Sequence, residues 1–391
     1  MSEKATTKTK KYVMLATIIV LIIGLVMVAC FVVIPATRYK KALLAVEDNN
    51  FIDAYYYFGK CSRYKDSHDQ LINAKSKEAD ILLNKGKYDD AYKILKEIGD
   101  YDSIHTNYYE RAKVDLEEGN YDSAFEMLKK TKDEELINET MYNKAIELEQ
   151  SNDMASAYLI FEKIPEYKDV NSKITETKPY HLKNQLKKVS VGDTVLFGYN
   201  EDYVNASNKT EGIEWLVLEK KKNKMLVISK YGLDLSVYDY SYDFKSQETW
   251  ETSFIRKRLN DGFIKDTFDS AEQSLLISQE VTADMNPKFS TDPGKDTFDR
   301  VFLLSIKEVE KYFKTDKDRV CTPTSHVSNY INNKWRQNSD LINADWNWWL
   351  RTPGDSKFKF ATVFKDGSIS YKGSMYDNYI LLRPAMWIDI S

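Results

Sequence analysis

Residues 12–37 carry no charged side chain, and the dense apolar part, residues 13–34, would make a helix of about 33 Å at about 1.5 Å per residue. That matches a bilayer core of about 30 Å. A cleaved signal peptide has an apolar stretch of only about 7–15 residues ending in small side chains. Here the run is longer and ends in Phe31-Val32-Val33-Ile34-Pro35, so the pattern predicts an uncleaved single-span anchor. Lys4, Lys8, Lys10 and Lys11 precede it and Arg38, Lys40 and Lys41 follow it. The margin of one lysine and the short basic tail place residues 1–11 in the cytoplasm and the C-terminal domains outside the cell.

Beyond the anchor the chain repeats. Ala54, Ala91, Ala124 and Ala157 stand at intervals of 37, 33 and 33, and Ala42, Ala79, Ala112 and Ala145 each lie twelve residues before them. Four residues after the later alanine comes a large apolar side chain, Phe58, Leu95, Leu128 or Phe161. The physical reading is one helix pair per repeat, with small residues letting two backbones approach and the large residue filling the space one turn on. Gly86-Lys87-Tyr88 and Gly119-Asn120-Tyr121 fall between the helices, and Asn49 and Asn152 replace the glycine in the end repeats. The set Ala79, Gly86, Tyr88, Ala91 and Leu95, with its counterpart at Ala112 to Leu128, resembles the tetratricopeptide repeat. The resemblance implies a helical array over residues 38–172 that binds a protein or serves as a spacer. A lysine-rich stretch then predicts a linker over residues 173–189.

At Val191-Gly192-Asp193 the periodicity changes to short alternating runs. Residues 213–219 and 225–230 read as a hairpin with Trp215, Val217, Leu226 and Ile228 inward. Residues 253–268 read as a helix capped by Ser253, and residues 306–313 as another. A hairpin over 360–371 turns at Asp366-Gly367, and a last strand covers 381–388. The chain is thus expected to be multidomain, with an α+β head at 190–391.

Four ordered motifs in this head carry a second resemblance: Trp250-Glu251-Thr252-Ser253, Phe302-Leu303-Leu304-Ser305, Trp348-Trp349-Leu350-Arg351-Thr352-Pro353-Gly354 and Leu382-Arg383-Pro384-Ala385-Met386-Trp387-Ile388. They resemble a domain family of uncharacterised function in surface-attached proteins of Gram-positive bacteria. The layout is also similar to the C-type lectin and formylglycine-generating-enzyme superfold, which implies a lectin-like head. Met27-Val28-Ala29-Cys30 is similar to a bacterial lipoprotein cleavage box, although its cysteine lies within the apolar run.

Composition narrows the function. In 391 residues, 56 Lys and Arg against 60 Asp and Glu give a net charge of -4, so no nucleic-acid partner is expected. Mean hydropathy is -0.53, which leaves the bulk of the chain in water. Cys30, Cys61 and Cys321 are too dispersed for a disulfide framework or zinc site, and no cofactor loop, metal cluster or nucleophile–base pair emerges. Asp292, Asp296 and Asp299 are spaced to ring a cation but read as a solvated loop. The head is therefore expected to recognise a ligand without catalysis. The candidate ligand-binding residues are Tyr238, Tyr240, Tyr242 and Trp349, because tyrosine and tryptophan offer large contact area at low entropic cost. The whole reads as a single-pass membrane protein presenting a glycan-, cell-wall- or protein-binding head. Its alternative is a tethered scaffold whose repeats hold a partner protein.

Overall fold

A computed structural model of the chain describes residues 2–204, 212–240, 248–334, 346–376 and 379–391, with side chains from residue 10 onward except 331–334. The chain is multidomain, an N-terminal helical region and a sheet-rich C-terminal region, and divides into compact units at residues 1–144 and 145–391. Helix α1 (Ser2–Val28) runs through a π-turn at Ala29–Val33 into α2 (Ile34–Glu47). The stretch Lys10–Glu47 is long and apolar enough to cross a membrane, and its apolar window is 0% buried. A helix satisfies its own backbone hydrogen bonds, so side chains such as Leu21 and Leu25 can face lipid at no polar cost.

Helix pairs follow: α2 with α3 (Phe51–Lys60), α4 (Ser67–Asn84) with α5 (Tyr88–Ile98), and α6 (Tyr101–Glu117) with α7 (Tyr121–Lys129). Next come α8 (Glu134–Gln150), α9 (Met154–Phe161) and α10 (Val170–Leu186). All eight alanines of the two ladders are 0% exposed, and Phe58, Leu95, Leu128 and Phe161 are buried beside them. Four aligned turn positions share a left-handed backbone: φ is 55° at Asn49, 70° at Gly86, 78° at Gly119 and 66° at Asn152. Asparagine tolerates that region better than other residues with a Cβ, which explains why glycine is dispensable in the end repeats. Replacing Ala91 by Leu should overpack the α4–α5 contact and cost roughly 1–3 kcal/mol. Thermal melting of a chain starting at residue 38, followed by helical circular dichroism, checks this; an unchanged midpoint would refute the register.

Residues 173–189, expected as a linker, are mostly helix. Lysine is the commonest residue in the stretch, but Leu182 and Leu186 lie one turn apart and join the core of the head, Leu186 at 4% exposure. Lys178 bonds Asp269 at 2.5 Å and Lys183 bonds Asp389 at 2.6 Å. Helix α10 is thus a structural part of the C-terminal unit.

Among the described residues that unit holds two five-stranded sheets. The first has the order β1 (Thr194–Leu196), β2 (Glu214–Lys220), β3 (Lys224–Ser229), β12 (Ala385–Asp389), β7 (Val301–Phe302), all antiparallel. The second has the order β10 (Ile369–Met375), β9 (Lys359–Val363), β8 (Trp348–Pro353), β11 (Ile380–Leu382), β4 (Asp234–Ser236), with β8 and β11 parallel. Strands β5 (Gln279–Val281) and β6 (Thr297–Asp299) form a separate ribbon. Between β4 and β5 lie α11 (Phe254–Arg258), a π-turn at Leu259–Phe263, α12 (Ile264–Thr267) and α13 (Ser270–Leu275). After β7 come α14 (Ile306–Tyr312), α15 (Asp316–Arg319) and α16 (Ser325–Lys334). The expected final strand is two strands. Pro384 has no N–H for a ladder, and at Arg383-Pro384 the chain passes from the second sheet to the first, where the Pro384 carbonyl accepts from Ser229 N at 2.9 Å. One apolar core, including Trp215, Trp348, Phe302 and Met386, serves both sheets.

Candidate functional site

Two of the four residues expected to meet a ligand are core residues. Tyr238 is 0% exposed, its ring stacked on Phe360 at 3.5 Å between centroids and edge-on to Trp349 at 5.3 Å. Its hydroxyl donates to the Arg351 carbonyl at 3.4 Å, and burial holds the phenol well above its ordinary pKa. Trp349 is also 0% exposed, with Nε1 donating to the Ser236 carbonyl at 2.8 Å. Strand β8 is buried on both faces, so alternation along it exposes neither tryptophan. Tyr240 is 51% exposed and stands edge-on to Phe254 at 4.7 Å. Tyr238 and Tyr240 part company because the amides of Tyr238 and Asp239 both donate to the Tyr376 carbonyl, at 2.7 and 3.2 Å. That shared acceptor breaks the alternation. Tyr242 lies outside the described residues.

The head carries a groove of about 170 Å³ lined by Asp234 and Leu235 of β4, His326, Val327 and Tyr330 of α16, and Tyr379 ahead of β11. Tyr330 and Tyr379 are 47% and 57% exposed. His326 Nδ1 is 3.0 Å from Asp202 Oδ1. Asp234 is held by two bonds: Oδ2 accepts from the Arg258 guanidinium and Oδ1 from the Leu235 amide at 2.7 Å. Arg258 sits one helical turn after Phe254, the ring that Tyr240 meets, on α11. Tyr203 lies outside the lining, against the helical segment that follows α11. Its ring leans on Phe263 at 5.5 Å, and burial, followed by the nearby Asp234 carboxylate, raises its phenol pKa. The groove thus presents aromatic faces beside oriented acceptors and donors.

Two buried arginines elsewhere in the head are fully engaged. Arg351 donates to the carbonyls of Thr282 at 3.2 Å and Leu303 at 2.9 Å, to Asp284 at 3.3 Å and to Glu308. Arg383 donates to Ser229 O at 2.9 Å and lies over the rings of Phe313 and Trp348, at 5.4 and 5.0 Å. Both arginines are structural. The three spaced aspartates do not converge: Asp292 accepts from Gly294 N at 3.0 Å, Asp296 from Ala283 N at 2.6 Å, and Asp299 lies in a buried network of its own. Among the described residues no three His, Cys, Asp or Glu side chains gather to hold a metal. Cys61 and Cys321 are buried and Cys30 is exposed on the N-terminal helix, all as thiols.

Residues 222–390 match the family described as Domain of unknown function (DUF6273). The match begins in the β2–β3 turn and ends just after β12, so it takes in every residue lining the groove. It omits β1, β2 and α10, although β2 pairs along β3 and Trp215 sits in the common core. No curated protein and no solved structure matches the chain. The residues missed from sequence, Asp234, His326, Tyr330 and Tyr379, belong to segments without a strong period. An exposed Tyr beside a short strand such as Tyr379 was the one signal available.

Proposed function

We propose that this is a single-pass membrane protein whose C-terminal head recognises a carbohydrate, carried above the bilayer on a tetratricopeptide-like helical stalk. The observation that carries this reading is the groove, where Tyr330 and Tyr379 offer ring faces next to Asp234 and His326. Sugar C–H faces lie well on aromatic rings, while hydroxyls need acceptors and donors fixed in place, and a few placed polar groups among apolar walls are what ligand sites provide. The stalk reading rests on the eight buried alanines and the four aligned left-handed turns. The lectin-like description of the head rests on its two sheets and late Trp-rich strand, and its placement outside the cell rests on the N-terminal lysines.

The test is binding of the full-length protein in detergent to arrayed glycans and cell-wall fragments. Saturable binding of one sugar class, with the ligand recovered chemically unchanged, is expected. Recovery of a cleaved or modified sugar would replace recognition with catalysis, and binding of peptides but no glycan would move the ligand class to protein.

A further inference from the structure

We infer that the chain holds the headgroup of an anionic phospholipid in a cradle where the helix leaves the membrane. The inference rests on reading the N-terminal helix as a span, and it concerns a site wholly within the first compact unit. A cavity of about 240 Å³ is lined on one side by Phe31 and Pro35, at the C-terminal end of the apolar stretch, and on the other by Lys60, Ser62, Arg63 and Tyr64 of the α3–α4 turn. The turn is tied to the helix by Arg38 Nη1, which donates to the Lys60 carbonyl at 3.1 Å, and by Tyr39, whose hydroxyl bonds Asp66 at 2.6 Å. Apolar chain and cation therefore meet within one cavity, as they do at the boundary of acyl chains and phosphates.

The charge around the cavity is one-sided. Arg38, Lys40 and Lys41 begin the first helix pair, and Lys60, Arg63 and Lys65 return to the same end, whereas Glu47, Asp48 and Asp53 lie at the far end of the pair. Two acids stand at the start of α4: Asp66, already engaged by Tyr39 and by Gln70 at 2.9 Å, and the exposed Asp69 in the first turn. Neither Lys60 nor Arg63 is in an ion pair among the described residues. Tyrosines fill the same level: Lys65 lies over Tyr39 and Tyr64 at 5.5 and 5.6 Å, and Lys41 over Tyr57 at 5.6 Å. Aromatic rings with basic side chains at a helix end are the form of an interfacial anchor. A lipid phosphate in the cavity would meet Lys60 and Arg63 while its acyl chains lie along Phe31.

The full-length protein, extracted into mixed micelles of phosphatidylcholine and phosphatidylglycerol at physiological salt, should retain phosphatidylglycerol preferentially when bound lipid is weighed by native mass spectrometry. Each basic side chain near a membrane surface contributes roughly fivefold. Lys60→Gln combined with Arg63→Gln should therefore cut the preference by about tenfold or more, while the distal pair Lys85→Gln and Lys87→Gln leaves it unchanged. All four lysine and arginine side chains are exposed, so circular dichroism should show the same melting for each variant. Equal retention of the two lipids, or a preference unaffected by the Lys60 and Arg63 changes, overturns the cradle. Competition by millimolar inorganic phosphate would assign the site to free phosphate and also overturn it. Release of the chain from membranes by alkaline carbonate would instead show that the span reading itself had failed.

Discussion

Replacing Asp299 with Ala is expected to destabilise the head by roughly 3 kcal/mol, the lower end of what breaking a buried ion pair costs. Asp299 is 2% exposed. Its carboxylate accepts from Trp250 Nε1 at 2.9 Å, Arg256 Nε at 2.8 Å and Thr297 Oγ1 at 2.6 Å. The alanine leaves the indole N–H without its acceptor and the guanidinium without its counter-charge. Arg256 keeps a quarter of its side chain in water, with 25% exposure, which holds the cost down. At about 2–4 °C per kcal/mol for a domain of this size, the melting temperature should fall by roughly 6–12 °C. Asp299→Asn keeps one acceptor and should lose about half as much. A chain with Asp299→Ala that melts unchanged would mean that this network does not tie α11 to the β5–β6 ribbon.

The second large effect is expected on removing α10. A fragment of residues 145–391 should fold, and one of residues 190–391 should be less stable by roughly 3–5 kcal/mol and prone to aggregate. Burying a leucine side chain is worth about 2 kcal/mol, and both Leu182 and Leu186 meet the head core. The pairs of Lys178 with Asp269 and Lys183 with Asp389 are partly exposed, so each adds less than about 1 kcal/mol. The cut also uncovers the apolar surface that α10 protects, and an exposed patch of that kind drives association. Equal midpoints for the two fragments in urea would show that the residues are a linker after all.

The parts of the fold legible in the sequence were those written in strong periods. The apolar run, the alanine ladders, the β2–β3 hairpin and the Ser253 cap, which accepts from Arg256 N at 3.3 Å, all depend on contacts close in sequence. The turn at Gly367 was equally visible: its φ is 84°, and a Cβ there would meet the Asp316 backbone. Helix α10 was hidden because its buried positions, Val170, Thr177 and Leu186, with Leu182 partly buried, are widely spaced among polar residues, and charge outweighed spacing. The site was the least legible part. Tyr238 and Tyr240 look alike in sequence, and only the kink at the shared Tyr376 carbonyl sends one inward and the other outward. The groove draws on β4, α16 and Tyr379, segments far apart in sequence: β11 pairs with β4 and sets Tyr379 beside it, and the bridge from Gly232 to Pro323 brings the start of α16 to the same place.

The most direct measurement is the affinity of the Tyr379→Ala and His326→Ala variants for whichever glycan the intact protein captures, by calorimetry, beside the wild-type chain. Both side chains are exposed at the groove, so melting temperatures should stay within about 2 °C, surface changes costing roughly 0.5 kcal/mol or less. Tyr379→Ala should weaken binding about tenfold or more, as the loss of an aromatic anchor does, and His326→Ala should weaken it less. Unaltered affinity in both variants would place recognition elsewhere on the molecule and contradict the assignment of the groove.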